Sequence, residues 1–310
     1  MGDVFMKNII NYYYQMNIEN IHLSNGIYYF TYKNNNYMFI PFNNDYILLN
    51  YLYILNQLVL QKSIYYHEIM LNKDRLPYLF VDGKCYCLLR ESNLINYTIS
   101  FYDLSLEKIE FNSKLTRLIR FPWSDLWSNK LDYLENILTH LELSYKNVLP
   151  ICLYFMGLAE NAIEYVNEIL ENERLKKEDE LVISHTRIDI NESIKELYSP
   201  LNLIVDHPSR DISEYLKSLF AHNDYDYNEI EEYIMSLNFS DVGLKLLYGR
   251  MLYPSFFFDL WDEVIADKKI YNDLLIYENR LEEYRIFLKE IYYIIKKRTY
   301  LEEVRWILRE

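Results

Sequence analysis

The sequence predicts an α+β protein with two lobes, a small antiparallel β-rich lobe over residues 1–92 and a larger, mostly helical lobe over residues 93–310. Three observations lead to this fold class. Aromatic-rich runs joined by turn residues are confined to the first third of the chain, one apolar stretch of helical length interrupts them, and helical spacing of apolar residues dominates the rest. Because 51% of the 310 residues are hydrophobic, the chain can bury a sizeable core.

Two hairpins and one helix account for the small lobe. Asp82-Gly83 is a strong two-residue turn signal, and the polar run 33–36 separates two aromatic-rich segments. The apolar residues of 45–62 point in all directions of a helix, which predicts a largely buried one. We therefore expect about four or five strands with one helix packed on the sheet. The predicted segments are a hairpin of 27–32 and 37–42, the helix 45–62, and a hairpin of 78–81 and 84–89.

Beyond residue 93 the apolar residues are spaced by three and four, which predicts helices. Two short apolar runs, 181–184 and 201–205, are long enough only for strands. The predicted helices are 131–143, 150–170, 212–220, 228–237, 256–266 and 281–295.

Charge and cysteine content limit the classes of function. The formal net charge is −14 and no basic face is evident, so we expect no nucleic-acid partner. No run of eighteen apolar residues and no apolar core near the N-terminus are present, so we expect neither a membrane span nor a secretory signal. Cys85, Cys87 and Cys152 fit a reducing compartment. Cys85 and Cys87 could form a metal pair, but no His or further Cys lies nearby, so buried thiols are favoured.

Polar residues follow both short strands of the second lobe. His185-Thr186-Arg187 comes after the first, and Asp206-His207-Pro208-Ser209-Arg210-Asp211 after the second. Phosphoryl transfer from ATP needs a cation on the phosphates, carboxylates that hold metal and a group that orients the nucleophile. The ends of these strands are where such groups are expected.

Three motifs carry a resemblance to a known family: the segment 157–165, the segment 206–211 and Leu252-Tyr253-Pro254. With them the chain resembles spore-coat kinase-like proteins of the CotS/YutH type, within the aminoglycoside-phosphotransferase-like superfamily. The resemblance implies a protein-kinase-like (aminoglycoside phosphotransferase-like) two-lobe fold. It places His185 at the conserved His position, Asp206 at the metal-binding Asp and Asp211 at the Asp that opens the next helix.

The same alignment of motifs shows departures from an active kinase. Arg187 stands at the catalytic Asp position and Glu192 at an Asn position. A guanidinium stays charged and cannot accept a proton. The strand 37–42 has no Lys, the helix 45–62 has no Glu, and no glycine-rich loop precedes them, so the usual phosphate-binding parts are absent from the sequence.

These departures favour a catalytically degraded kinase-like protein, and the resemblance alone implies a structural or assembly role in the bacterial endospore coat. The resemblance implies synthesis in the mother-cell cytoplasm, deposition on the spore coat and other spore-coat proteins as partners. From the departures we expect no cofactor. The alternative is a small-molecule phosphotransferase that uses ATP and magnesium, with Asp206 as metal ligand and His185 or Asp189 as base. A third hypothesis is a switch that binds ATP without turnover.

The segment 206–211 also has a purely structural interpretation. Asp206 can belong to a buried polar network, and His185 can bond backbone rather than substrate. Ser209 or Asp211 can cap the helix that follows, and Arg210 can bridge the acids Asp206 and Asp211.

Overall fold

The computed structural model describes residues 2–43, 45–104, 113–140, 143–266 and 269–309. The chain divides into two compact units. The first comprises Met1–Ile99, Glu110–Ile119 and Asn191–Val205, and the second comprises Ser100–Ile109, Arg120–Ile190 and Asp206–Glu310. The first unit therefore extends past residue 92 to Ile99 and also takes two later segments of the chain.

An antiparallel sheet of six strands forms the first unit, against the four or five expected. The strands run in the order β1-β2-β3-β6-β4, and β5 pairs with β6 as well. Both unpredicted strands, β1 and β4, have only three residues, too few for an alternating pattern to show. The bounds are β1 His22–Ser24, β2 Ile27–Tyr32, β3 Asn35–Pro41, β4 Glu68–Met70, β5 Leu79–Val81 and β6 Lys84–Arg90.

Both predicted hairpins are confirmed, and each has a two-residue turn. Asp82 and Gly83 have φ values of 49° and 77°, and Lys33 and Asn34 have 46° and 62°. Two consecutive left-handed residues match the right-handed twist of the flanking strands. The first turn is shorter than the predicted 33–36, because Asn35 already pairs with Tyr32 across the ladder.

A helix that the sequence interpretation missed, α1 (Gly2–Tyr14), precedes the sheet. Met6 and Ile10, four residues apart on one side of the helix, are buried in a cluster with Phe30, Phe39 and Leu88. The early Asp3 argues against a secretory signal in this stretch, but the spacing of Met6 and Ile10 is that of an amphipathic helix.

The predicted buried helix is α2 (Ile47–Leu60), and an internal amide ties it to the sheet. The side chain of the buried Asn56 donates to the carbonyl of His67 at 2.7 Å and accepts from the N–H of Ile69 at 2.8 Å. Asn56 thereby satisfies backbone groups next to β4, which explains a polar residue on an apolar helix face.

The second unit is mainly helical, which confirms the predicted fold class. One of its long helices, α8, was not predicted. The bounds beyond residue 93 are α3 Ser124–Thr139, α4 Leu149–Asn172, β7 Val182–His185, α5 Ile194–Leu197, β8 Leu203–Asp206, α6 Ser209–His222, α7 Tyr227–Ser236, α8 Asp241–Leu252, α9 Ser255–Ile265, α10 Leu281–Lys296 and α11 Arg305–Leu308. Of these, α5 and all of β8 but Asp206 belong to the first unit.

Helices α4 and α8 approach each other closely at a glycine. A Cβ on Gly249 would lie 2.6 Å from Cγ2 of Val166 and 3.2 Å from the ring of Tyr165, distances shorter than van der Waals contact. A hydrogen atom at position 249 is thus required for this packing, as small residues are wherever helix backbones come close.

The three cysteines are free and buried, as predicted. Burial raises the pKa of the Cys152 thiol to about 12 and raises the pKa values of Cys85 and Cys87, so the protonated thiols are favoured. Within the described ranges no helix combines the length and apolar character that a membrane crossing requires.

Candidate functional site

The ends of strands β7 and β8 are joined by one arginine of α6. Arg210 donates through Nε to the carbonyl of His185 at 2.7 Å and through Nη1 to Oδ2 of Asp206 at 2.9 Å. Its Nη2 donates to the carbonyl of Thr186 at 2.8 Å. His185 and Asp206 thus lie at the ends of β7 and β8, the two short strands that the sequence predicts. A planar guanidinium fixes three acceptors at once, so the geometry of both strand ends depends on it.

Both carboxylate oxygens of the fully buried Asp206 accept hydrogen bonds from the protein itself. The indole Nε1 of Trp123 donates to Oδ1 at 2.7 Å, the N–H of His207 donates to the same atom at 2.7 Å, and Arg210 bonds Oδ2. Magnesium binds oxygen ligands in octahedral geometry and keeps several of its waters. A carboxylate surrounded by three N–H donors, one of them on a cation, does not fit a divalent metal.

His185 and Asp211 form a second buried pair. The Asp211 carboxylate accepts the backbone N–H of His185 at 2.9 Å through Oδ1, and Nδ1 of the His185 ring lies 2.7 Å from Oδ2. Both side chains are at most 2% exposed. The carboxylate thus fixes the orientation of the imidazole and the end of β7 together, as an internal structural pair does.

The structure corrects two details of the predicted corner 206–211. The N-cap of α6 is Pro208, without a side-chain cap, so the expected cap by Ser209 or Asp211 is wrong. The Ser209 hydroxyl instead lies 2.8 Å from Nδ1 of His207. Arg210 joins Asp206 to backbone carbonyls instead of to Asp211, and Asp211 binds His185. The two acids are therefore tied to β7 by different routes.

Arg187, which the resemblance in the sequence places at the catalytic Asp position, is bound to two carboxylates. Its Nε and Nη2 contact the two oxygens of Asp259 in a bidentate pair, and the Nη2 distance is 2.6 Å. Its Nε lies 3.8 Å from Oε2 of Glu214. Burial lowers the pKa of Arg187, but Glu214 and Asp259 outweigh burial and raise it above its ordinary value. The half-exposed guanidinium is thus a fixed positive charge at this position.

Behind Arg187 lies a buried cluster centred on Glu214 of α6. Glu214 Oε1 accepts from Lys217 Nζ at 3.1 Å and from Arg250 Nη2 at 2.8 Å, and Oε2 accepts from the Ser255 hydroxyl at 3.2 Å. None of the three charged side chains is more than 3% exposed. We call Glu214, Lys217, Arg250 and Ser255 the Glu214 cluster; it joins α6 to α8 and α9.

Lys217 is a fully enclosed cation of this cluster. Besides Glu214, its ammonium reaches the carbonyls of Arg250 and Tyr253, both at 3.2 Å, and the Ser255 hydroxyl at 2.9 Å. Burial lowers its pKa to about 7, with Glu214 opposing and Arg250 adding to the decrease. For the Glu214 carboxyl, burial raises the pKa, but Lys217, Arg187 and Arg250 outweigh it and hold the pKa well below the usual range.

The lowered pKa of Lys217 predicts a pH-dependent stability. Lysine in an unfolded chain has a pKa of about 10.4. Between about pH 7 and that value the unfolded chain binds the proton and the folded protein releases it, so the free energy of unfolding should rise with pH. Urea unfolding of the wild type and Lys217→Met at several pH values from 6.5 to 9 measures this. We expect a steeper rise for the wild type, and equal slopes would contradict the assignment to Lys217.

The remaining candidates from the sequence lie elsewhere. Asp189, a candidate base, pairs at the surface with His222, whose Nε2 lies 2.9 Å from Oδ1. Glu192 is exposed in a bend before α5. Neither belongs to the contacts around Asp206 or to the Glu214 cluster described above. Two residues at this site were not predicted. Trp123 donates to Asp206, and Arg250 lies over the Trp123 ring at 4.6 Å from its centroid.

No local sequence pattern indicates the cluster. Glu214 and Lys217 lie off the apolar stripe Ile212, Leu216 and Leu219, where a solvated helix face is expected. Within the described part of the chain, no group of three or more His, Cys, Asp or Glu side chains is arranged to hold a metal ion.

Comparisons with known proteins agree with this architecture. Residues 7–291 match the model of a family described as spore coat putative kinase YutH. The endospore coat-associated protein YutH of Bacillus subtilis (strain 168) is 24% identical over 232 residues, which cover 64% of this chain and 68% of that protein.

Solved structures show the same fold. An aminoglycoside phosphotransferase from Alicyclobacillus acidocaldarius superposes with a TM-score of 0.58 at 12% identity, over 92% of this chain and 94% of the other. A spectinomycin phosphotransferase, solved with ADP and spectinomycin, superposes with a TM-score of 0.57 at 10% identity, over 95% and 98%. The fold is therefore that of the kinase-like phosphotransferases, and, since the family model spans most of its length, the chain belongs to the YutH family of spore-coat putative kinases.

Proposed function

We propose that this protein is a catalytically silent member of the kinase-like superfamily that acts as a structural or assembly component of the endospore coat. The observation that carries the proposal is Arg187. A proton acceptor is needed where it stands, and a guanidinium bound to Asp259 cannot serve as one. The positive charge would also repel a metal ion brought near Asp206.

The bonding of Asp206 supports the same proposal. Its carboxylate is fully buried and accepts from Trp123, Arg210 and the backbone of His207, so a metal would compete with three donors for the lone pairs of this carboxylate. An unsatisfied buried donor costs about 1–3 kcal/mol, more when it is charged. Asp206 in this setting stabilises the fold rather than a metal–phosphate complex.

Strand β3 and helix α2 do not carry the usual pair of groups for ATP phosphates. The strand β3 has no Lys and the helix α2 has no acid, whereas kinases pair a strand Lys with a helix Glu to position the phosphates. We therefore expect no cofactor.

The spore role follows from the family. The matched relative is named for association with the endospore coat, and the family is described as spore-coat putative kinases. By this proposal the protein is made in the mother-cell cytoplasm and deposited on the spore by contacts with other coat proteins. Such a role needs stable surfaces and a rigid fold and no turnover.

The alternative is an active phosphotransferase with ATP and magnesium, or a switch that binds ATP without turnover. One observation favours it: Asp206 ends β8 and His185 ends β7, so two of the residues that the family resemblance places in an active site remain together at neighbouring chain ends. His185 would be the base, because Asp189 pairs with His222 at the surface. A thermal-shift titration with ATP and magnesium separates the hypotheses: no shift disfavours both, and a shift without turnover selects the switch.

Phosphate release from ATP and magnesium is expected to equal the background rate for the purified full-length protein. The reason is that the charge-stabilising and phosphate-positioning groups account for most of the rate of phosphoryl transfer. Asp206→Asn keeps the shape of the side chain and serves as the matched control, with circular dichroism to verify folding. Hydrolysis by the wild type that Asp206→Asn abolishes would contradict catalytic silence.

A further inference from the structure

A groove of about 700 Å³ runs between helices α3 and α4 of the second unit. Its floor is apolar: Leu131 of α3 faces Met156 and Ile163 of α4. Leu131 and Met156 are mostly covered, and Ile163 is half-buried. The Ser124 hydroxyl donates to the Asn167 side chain and joins the two helices at one end. We call this feature the α3–α4 groove.

Six carboxylates rim the floor. They are spaced by three or four residues along each helix, so they lie on the facing sides of α3 and α4. No ion pair of the described residues involves any of them, and Lys130 of α3 is paired instead with Asp262. The six are Asp132, Glu135, Glu160, Glu164, Glu168 and Glu171.

The shape of this charge distribution decides what it fits. Glu160 and Glu171 are eleven residues apart, so the acidic rim on α4 extends over roughly 16 Å at the helical rise of 1.5 Å per residue. A single metal ion needs converging ligands, whereas this row is extended and opposes like charges along its length. Complementarity therefore requires a partner with positive charges spread along a chain.

The apolar floor restricts the partner further. A polycation without apolar groups would leave the half-buried Ile163 in contact with water, whereas an amphipathic segment covers it and places its Lys or Arg side chains at the rim. Nucleic acid and a second copy of this chain, with its net charge of −14, would meet repulsion.

We infer that the α3–α4 groove is a docking site for a basic, amphipathic segment of another protein. The apolar floor supplies the contact area, and the carboxylates align the segment and speed its encounter with the groove. The inference rests on the proposed function in one respect: a scaffold acts through partner contacts, and this groove states the chemistry of one partner.

The test uses a fluorescein-labelled peptide of alternating Leu and Lys residues at helical spacing, with fluorescence anisotropy on the full-length protein. We expect saturable binding that weakens as salt rises, because exposed charges are screened. A Gly–Lys peptide of equal charge should bind at least about tenfold more weakly, since burying apolar side chains is worth about 1.5–3 kcal/mol each.

Two triple variants locate the site. Glu160→Gln/Glu164→Gln/Glu168→Gln removes charge from the groove, and Glu229→Gln/Glu232→Gln/Glu278→Gln removes the same charge from exposed positions elsewhere. We expect a loss of affinity of about tenfold for the groove variant and less than about twofold for the control, from three exposed ion pairs of up to about 1 kcal/mol each. Ile163→Ser should weaken the Leu–Lys peptide and leave the Gly–Lys peptide unchanged.

Equal losses in both triple variants, or equal affinity for both peptides, would overturn the docking site. ATP turnover measured on the same preparation distinguishes this failure from that of the proposed function. Turnover would refute catalytic silence and leave the groove assignment intact, whereas loss of peptide discrimination would refute the groove alone.

Discussion

Glu214→Ala is expected to lower the free energy of unfolding by about 3–5 kcal/mol, the cost of breaking a buried ion pair by removing one partner. The substitution leaves Arg250 as a buried cation without its carboxylate and removes the acceptor of Lys217, and both side chains are at most 2% exposed. It also leaves the Ser255 hydroxyl without this acceptor. Urea unfolding followed by circular dichroism gives the change in free energy.

Two comparisons show whether burial is the cause. Glu214→Gln keeps the shape and an acceptor oxygen, so it should cost less than the alanine. Glu282→Ala breaks the exposed pair with Arg285 and should cost less than about 1 kcal/mol. A Glu214→Ala protein as stable as Glu282→Ala would show that the Glu214 cluster does not hold α6, α8 and α9 together.

Gly249→Ala is expected to lower the free energy of unfolding by about 1–3 kcal/mol, the range for overpacking a close-packed interior. The new Cβ would lie 2.6 Å from Val166 Cγ2, so α4 and α8 would have to separate. Thermal unfolding of the two proteins measures the difference.

The matched control is Gly157→Ala on α4. Apart from the neighbouring backbone of α4 itself, no atom of the described residues lies within 4 Å of a Cβ built there, and replacing a helical Gly by Ala generally stabilises by roughly 0.5–1 kcal/mol. The double variant Gly249→Ala/Val166→Ala removes the clashing methyl group and should be more stable than the sum of the single effects. A neutral Gly249→Ala would mean that the helices do not need this close approach.

The parts of the fold that follow local rules could be predicted from the sequence. Asp82-Gly83 specifies a two-residue turn by its backbone preference alone, and the spacing from Leu281 to Ile295 indicates α10 directly. Helix α8 was not predicted because its residues are buried on nearly every side, Val242 and Leu247 included, so no polar face marks it.

Only the two strand ends of the site could be predicted, because each of them follows a local sequence signal. His185 and Asp206 follow short apolar runs, and the sequence indicates both. The Glu214 cluster is different, because Glu214 and Lys217 would ordinarily form the solvated face of an amphipathic helix. They can be buried because they pair with Arg250 and Ser255, which lie on elements more than thirty residues further along the chain. Such pairing is a tertiary event that no local pattern contains.

Helix α6 has a consequence for the motions available to the second unit. Every residue from Ser209 to Phe220 is buried, and α8, α9 and β7 all contact the helix. Its amide hydrogens can therefore meet solvent only when most of the unit opens, which places α6 at the slow end of hydrogen–deuterium exchange. Peripheral helices can fray or shift while α6 stays protected, so conformational changes of the second unit have to occur around this helix and leave it in place.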